Sequence, residues 1–262
     1  MQDKIIQKAK ELLSGGAVQV VIGYGQGTGD RVRAIFIQKP EDAGRLIMDG
    51  RCVQNLAGYL MKHEVRALGR AAIVARMPVL RSIAQLMYEE QFKDSDVAVI
   101  GISDANELVD LPDLNALKEY VRANPLKLTP EEQAEVDRLD AMTREERWAF
   151  WMEETSKCIK CYACRASCPM CYCARCTVEV NQPQWISVPS HDLGNLEWHI
   201  MRAMHLAGRC VNCGECTRAC PVGIPLRLLN QRIIADIADN FGEEEDYALA
   251  AFKPDDKEDF IR

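Results

Sequence analysis

Cys158-Ile-Lys-Cys161-Tyr-Ala-Cys164-Arg-Ala-Ser-Cys168-Pro169 and Cys210-Val-Asn-Cys213-Gly-Glu-Cys216-Thr-Arg-Ala-Cys220-Pro221 are two copies of one pattern, C-x2-C-x2-C-x3-C-P. That spacing belongs to 4Fe–4S ligation. Three cysteines two residues apart wrap a tight loop around one cubane. The fourth has by then moved out of reach, and its proline redirects the chain; in two-cluster proteins it completes the other cluster. The expected ligand sets are Cys158, Cys161, Cys164 and Cys220 for one cluster, and Cys210, Cys213, Cys216 and Cys168 for the second. Zinc, the main rival, closes with four N/S ligands and usually shows two CxxC pairs instead of a triple followed by Cys-Pro.

Three further cysteines follow at once in Pro169-Met-Cys171-Tyr-Cys173-Ala-Arg-Cys176. They are either an additional metal site or a thiol-rich shell that tunes the neighbouring clusters. Eight ligands already suffice for two clusters, so the shell is preferred. His191, His199 and His205 are read as structural, and lone Cys52 as packing.

The rest of the chain sets the context. With 262 residues there is room for one large domain or two smaller ones, and the apolar content of 48% is that of a globular protein. The net charge of −7 is unevenly spread. Basic residues outnumber acidic ones between Lys157 and Cys220, which would offset anionic clusters, whereas the tail from Phe241 is acidic. No extended basic face suggests nucleic acid. No apolar run is long enough to span a membrane, and Met1 to Leu13 lacks a secretory core, so a cytoplasmic location is expected. Twelve cysteines in that compartment serve metal, not disulfides. Clusters of this kind suit anaerobic metabolism.

In chain order, Lys4 to Leu13 reads as an amphipathic helix, and Ala17 to Gly23 and Arg31 to Gln38 as strands. The glycine run Gly23 to Asp30 between them is taken as a hairpin, because a dinucleotide-binding loop must open a helix and here a second strand follows. Helices are expected from Lys39 through Met48, over Arg51 to Leu60 and over Pro78 to Gln91, with strands at Ala71 to Arg76 and Val97 to Ile102. Residues 1–105 then form a small α/β docking domain with a partly parallel sheet. Residues 106–142 are a linker with helices. Thr129-Pro130-Glu131-Glu132 and Thr143-Arg-Glu-Glu146 are capping boxes, and the second opens a helix whose Trp148, Phe150 and Trp151 are expected to dock the cysteine region on the α/β part. The insert before Cys210, with Trp185 and a helical stretch from Leu193 to Leu206, and the amphipathic run Ile224 to Ala238 favour an α-helical two-cluster ferredoxin domain over 143–240. An acidic tail follows over 241–262. The fold class is α+β.

Trp148-Ala-Phe-Trp151, the first cysteine run, Cys168-Pro-Met-Cys-Tyr-Cys173, and Met201-Arg-Ala-Met-His-Leu-Ala-Gly-Arg-Cys210-Val-Asn-Cys-Gly together resemble a known family. It comprises iron–sulfur proteins related to the beta subunits of deazaflavin-coenzyme-reducing hydrogenases and formate dehydrogenases. The closing Ala251-Phe-Lys-Pro-Asp-Asp256 resembles bacterial members. The resemblance extends along nearly the whole chain but is specific in the cysteine region.

The resemblance implies an electron-transfer subunit in a multisubunit redox complex, with a heterodisulfide-reductase-like flavoprotein, a hydrogenase or a formate dehydrogenase as partner. Where longer relatives carry Gly-Cys-Asp and Gly-Ile-Pro-Cys after two N-terminal strands, this chain has Met77-Pro78-Val79 and Gly101-Ile102-Ser103-Asp104. An additional N-terminal cluster is therefore expected to be missing, and with no evident flavin region the chain is expected to be non-catalytic. Two other readings stand beside it: an oxidoreductase subunit with its own flavin or deazaflavin site in the N-terminal domain, and a structural cluster protein.

Overall fold

The computed structural model describes residues 1–125, 127–176, 178, 183 and 186–241. Trp185, the acidic residues from Glu243 onward and the Ala251–Asp256 motif lie outside the described residues.

The fold is α+β. Helix α1 (Gln2–Ser14) buries Ile5 and Ala9, and a turn at Gly15 and Gly16 hands the chain to β1 (Val20–Gln26). Strands β1 and β2 (Val32–Ile37) pair antiparallel, so the glycine run is a hairpin as expected. The glycines serve packing: the Leu46 side chain occupies the space a Cβ on Gly23 would need. Strands β3 (Ala71–Ala75) and β4 (Val97–Ile102) run parallel to β1, and β5 (Leu108–Val109) closes the far edge antiparallel, giving the order β2-β1-β3-β4-β5. Every residue of β3 is buried, which is why it reads as an unbroken apolar run.

Two expected helices are shorter and tighter. Pro40–Arg45 is a 3-10 helix, not a helix through Met48. Leu46 is already extended, and the Ile47 amide donates to the Tyr24 carbonyl at 2.9 Å, so the two apolar residues are drawn out to line β1. Over Arg51 to Leu60, only Leu56–Met61 coils, again as a 3-10 helix. Asp49 caps the Arg51 amide in a local turn (2.8 Å), and the Asn55 side chain accepts from Ala57 (3.1 Å), so both side chains divert the backbone from an α-helix. Cys52 is buried in the turn between them.

Short α2 (His63–Arg66) leads to β3, and α3 (Met77–Tyr88) links β3 to β4 with Leu80, Ile83, Ala84 and Leu86 buried. The stretch read as linker contributes β5 and α4 (Leu114–Ala123), which packs on α3 through Leu117 and Val121. Helices α5 (Pro130–Asp140) and α6 (Arg144–Ser156) each start at a complete capping box, Thr129 with Glu132 and Thr143 with Glu146.

Around the cysteines come α7 (Ala163–Ala166), α8 (Asp192–Met204), α9 (Glu215–Arg218) and α10 (Leu226–Phe241). The aromatics of α6 do not turn towards the sheet. Trp148 is 57% exposed, and with Trp151, Leu139, Leu228 and Ala235 it lines an apolar groove of about 730 Å³ between α5, α6 and α10. Phe150 lies against Trp151 and under the Arg138 guanidinium. Among the described residues no helix is long and apolar enough to cross a membrane.

Candidate metal centre

The two cysteine runs fold alike. In the first, Lys160 and Tyr162 take left-handed backbone (φ 51° and 57°); in the second, Asn212 and Gly214 do (φ 57° and 76°). These are the residues two and four places after the first cysteine of each run. The double reversal curls each loop, turns backbone amides inwards, and starts a short helix, α7 or α9, carrying the third cysteine. The Lys160 amide donates to Cys158 Sγ (3.4 Å), and the Asn212 amide bonds Cys210 in the same way. The Ile224 amide, just past left-handed Gly223, donates to Cys220 Sγ (3.4 Å). Bonds of this kind to cluster sulfurs are a standard means of tuning potential.

All twelve cysteines are unpaired thiols. The structure brings Cys158 within electrostatic reach of Cys164, Cys161 and Cys220, and Cys210 within reach of Cys168, Cys213 and Cys216. The fourth cysteine of each run therefore stands beside the other run's triple. The groups differ in setting. Cys158, Cys164, Cys216 and Cys220 pack with Ile224 and Leu226 in a small core of their own, whereas Cys168 and Cys210 pack against the main core. Cys161 is exposed and Cys213 half-buried.

Several of these thiols resist ionisation. Burial pushes Cys213 up to about 12 and raises Cys158, Cys164, Cys210 and Cys216 as well. A hydrogen bond with Cys171, then burial, lifts Cys168 well above the usual thiol range. Sheltered thiols with no disulfide among them call for a cation that draws off their protons, because a coordinating thiol is deprotonated outright. The donor set thus fits iron–sulfur clusters. Among the described residues no three His, Cys, Asp or Glu side chains converge on a point suited to a single metal ion.

Side chains from several elements hold these loops. On α8, Asn195 is fully buried and donates to the Cys158 carbonyl (2.9 Å) and to Ser190 Oγ (3.1 Å), while Ser190 also donates to that carbonyl. Tyr162 meets Trp198 edge-on, with ring centres 5.0 Å apart. From the α/β part, Asn55 hydrogen bonds the Cys213 thiol while donating to Ser82 Oγ at 2.8 Å. Arg209 forks onto Glu89 of the segment after α3, and Tyr172 donates to the same carboxylate at 2.6 Å. Arg227 pairs with Glu132 of the α5 capping box, bonds Asn212 Oδ1 (2.8 Å), and ties α10 to the second loop. Arg202 sits between the two thiol groups, 5% exposed.

The three histidines lie on or beside α8. His191 caps α8 by accepting from the Gly194 amide (3.2 Å), and burial, with Arg202 and Lys160 nearby, lowers His199 to about 4, so it is neutral. His205 borders a cavity of about 390 Å³ that Cys171, Cys173 and Cys176 also line. Cys171 bonds Cys168, Cys173 is exposed, and Cys176 packs by Trp198 and Val178.

Of these partners, Asn195 and Arg202 carry a sequence signal that the cysteines overshadow. They sit with Trp198 and Ala203 on the buried face of α8, where a polar residue needs a reason. Glu89, Asn55 and Glu132 lie far away along the chain and give no local sign.

Residues 154–224 match the family model of the 4Fe-4S dicluster domain. The cysteine region is thus a 4Fe-4S dicluster domain, which supports an electron-transfer role. In part of its length it is related to two curated proteins. Over 93 residues it is 36% identical to F420-dependent formate dehydrogenase subunit beta of Methanocaldococcus jannaschii, an alignment covering 35% of this chain and 24% of that one. Over 39 residues it is 41% identical to F420-dependent formate dehydrogenase 1 subunit beta of Methanococcus maripaludis, covering 15% and 10%. The chain spans a quarter or less of the curated relatives it matches.

Proposed function

We propose that this chain is an electron-transfer subunit that relays single electrons through two 4Fe–4S clusters inside a multisubunit redox complex. One cluster is held by Cys158, Cys161, Cys164 and Cys220, the other by Cys210, Cys213, Cys216 and Cys168. The observation that carries this reading is the pairing of each fourth cysteine with the opposite triple. Crossed ligation locks both loops together and keeps the clusters close enough to exchange electrons, the chemistry that such clusters supply when bound.

The chain's own residues do the rest. Inward amides of Lys160, Asn212 and Ile224 bond the thiolates, Asn195 fixes the first loop, and Asn55 and Arg209 moor the second to the α/β part. Residues 1–105, with β5 and α4 extending that fold, form the docking unit, and 143–240 the cluster unit. A flavoprotein, hydrogenase or formate dehydrogenase subunit is the partner proposed, the last favoured by the relatives' names. A cytoplasmic setting suits twelve free thiols. Cys171, Cys173 and Cys176 serve as shell.

A flavin site of the chain's own has little support, since its one glycine-rich candidate is a hairpin between antiparallel strands. The test is anaerobic affinity capture of the native chain, with flavin quantified in each subunit. Flavin confined to a co-purifying subunit that reduces the clusters is expected. Flavin on the isolated chain overturns the relay reading.

A further inference from the structure

Among the described residues Arg202 is a charge without a carboxylate partner. It projects from α8 into the space between the two thiol groups and reaches the thiols of Cys164 and Cys216, one from each run. Cys168 and Cys171 are its other electrostatic neighbours. Its Nε and Nη2 atoms are buried with no hydrogen-bond partner, and no carboxylate is paired with it among the described residues. Three other arginines near the loops are different. Arg209 is spent on Glu89, Arg218 on Glu215 and Arg227 on Glu132. A guanidinium shut away from water with unused donors is costly unless something negative faces it.

We infer that Arg202 is the fixed positive charge, shared by both clusters, that sets their reduction potentials and holds the two within range of each other. The inference rests on the two-cluster reading above. With ligands assigned as proposed, Cys164 belongs to one cluster, and Cys168 and Cys216 to the other, so one guanidinium borders both. Taking up one electron adds one negative charge to a cluster, and no bond forms or breaks. A buried positive charge stabilises that added charge most strongly where the dielectric is low. Net charge and hydrogen bonds to sulfur are the terms by which a protein moves cluster potentials. Arg202 supplies the charge, and to both clusters. An arginine guanidinium is not deprotonated in proteins. Its charge therefore stays constant while the clusters cycle, and the electron supplied by the donor subunit is not tied to a proton at this residue.

The experiment is an anaerobic redox titration of the full chain, with each cluster's reduced signal followed by low-temperature EPR and iron and sulfide measured on the same samples. In Arg202→Gln, the reduced-to-oxidised ratio of both clusters at the wild-type midpoint should fall at least tenfold, about 59 mV for a one-electron couple. Arg202→Lys, which keeps the charge, should restore both ratios to within about threefold of wild type. A fully loaded Arg202→Gln protein with unmoved midpoints makes Arg202 a packing residue and overturns the inference. Should the glutamine variant lose iron, the lysine variant decides, because a loaded lysine protein with both ratios lowered tenfold overturns it equally. Wild-type protein with one cluster instead fails the two-cluster reading itself, a result seen before any variant is made.

Discussion

Arg209 grips Glu89 across 120 residues of sequence, Nε to Oε1 at 2.9 Å and Nη2 to Oε2 at 2.5 Å. The arginine immediately precedes Cys210, and the glutamate immediately follows α3. Tyr172, next to Cys171, donates to the same carboxylate and lies under the guanidinium, 5.2 Å from its ring centre. One carboxylate of the α/β part thus anchors the stretches after the first cysteine run and before the second. A planar fork on a carboxylate fixes orientation as well as distance, which a lysine would not do.

Side-chain exposures in this pair are only 18% and 11%, so removing one partner strands a sheltered charge. Glu89→Gln should destabilise the chain by about 3 kcal/mol, and the apparent Tm should fall by roughly 6–12 °C. Arg209→Lys should be intermediate. Anaerobic thermal melts check this, and a shift in Glu89→Gln of less than about 2 °C would show that the fork is not what joins the parts.

The same carboxylate makes part of that stability depend on pH. Burial would raise Glu89, but hydrogen bonds from Arg209, Tyr172 and Gln85 outweigh it and hold it below its usual range. With the folded value below the unfolded one, the unfolded chain binds the extra proton in the interval between them, so stability rises with pH there. The stability gap between wild type and Glu89→Gln should be full above the ordinary carboxylate range and close as pH falls through the lowered folded value. Urea titrations of both proteins over that interval measure it; a gap constant with pH contradicts the assignment.

Gly214 holds the fourth place after Cys210's loop begins at φ 76°, where its counterpart in the first loop is Tyr162 at φ 57°. The first loop tolerates the bulky residue because its ring is braced on Trp198. No such brace is available to a methyl at Gly214, whose Cβ would come 2.9 Å from Arg218 Nη1. Gly214→Ala should cost about 1–2 kcal/mol and speed iron loss from the second loop, read as bleaching of the cluster absorbance in air. Bleaching at the wild-type rate would refute a role for the left-handed turn.

Crossed ligation has its own signature. Cys168→Ala should disturb the EPR signal that Cys213→Ala disturbs, and Cys220→Ala the one that Cys161→Ala disturbs. If Cys168→Ala instead follows Cys161→Ala, each run holds its own cluster.

Much of this was open to sequence reading, where the signal is local. The cysteine spacing, the Thr129 and Thr143 boxes, and the limits of β4 depend on residues a few places apart. The failures share a cause as well. Leu46 and Ile47 leave the expected helix to line β1, and Leu108–Val109 becomes a strand only because β4 offers it an edge. Trp148 was expected in a domain contact and is instead exposed beside an apolar groove. Arg202 stands out on the buried face of α8, but what it faces appears only once α8 is laid beside the two loops. Tertiary partners decided each of these, and no window of sequence contains them.

The central claim is that this chain holds two 4Fe–4S clusters. Iron and acid-labile sulfide per chain, measured on anaerobically purified protein, test it most directly. The account predicts about eight of each. About four of each, or zinc in place of iron, would contradict it.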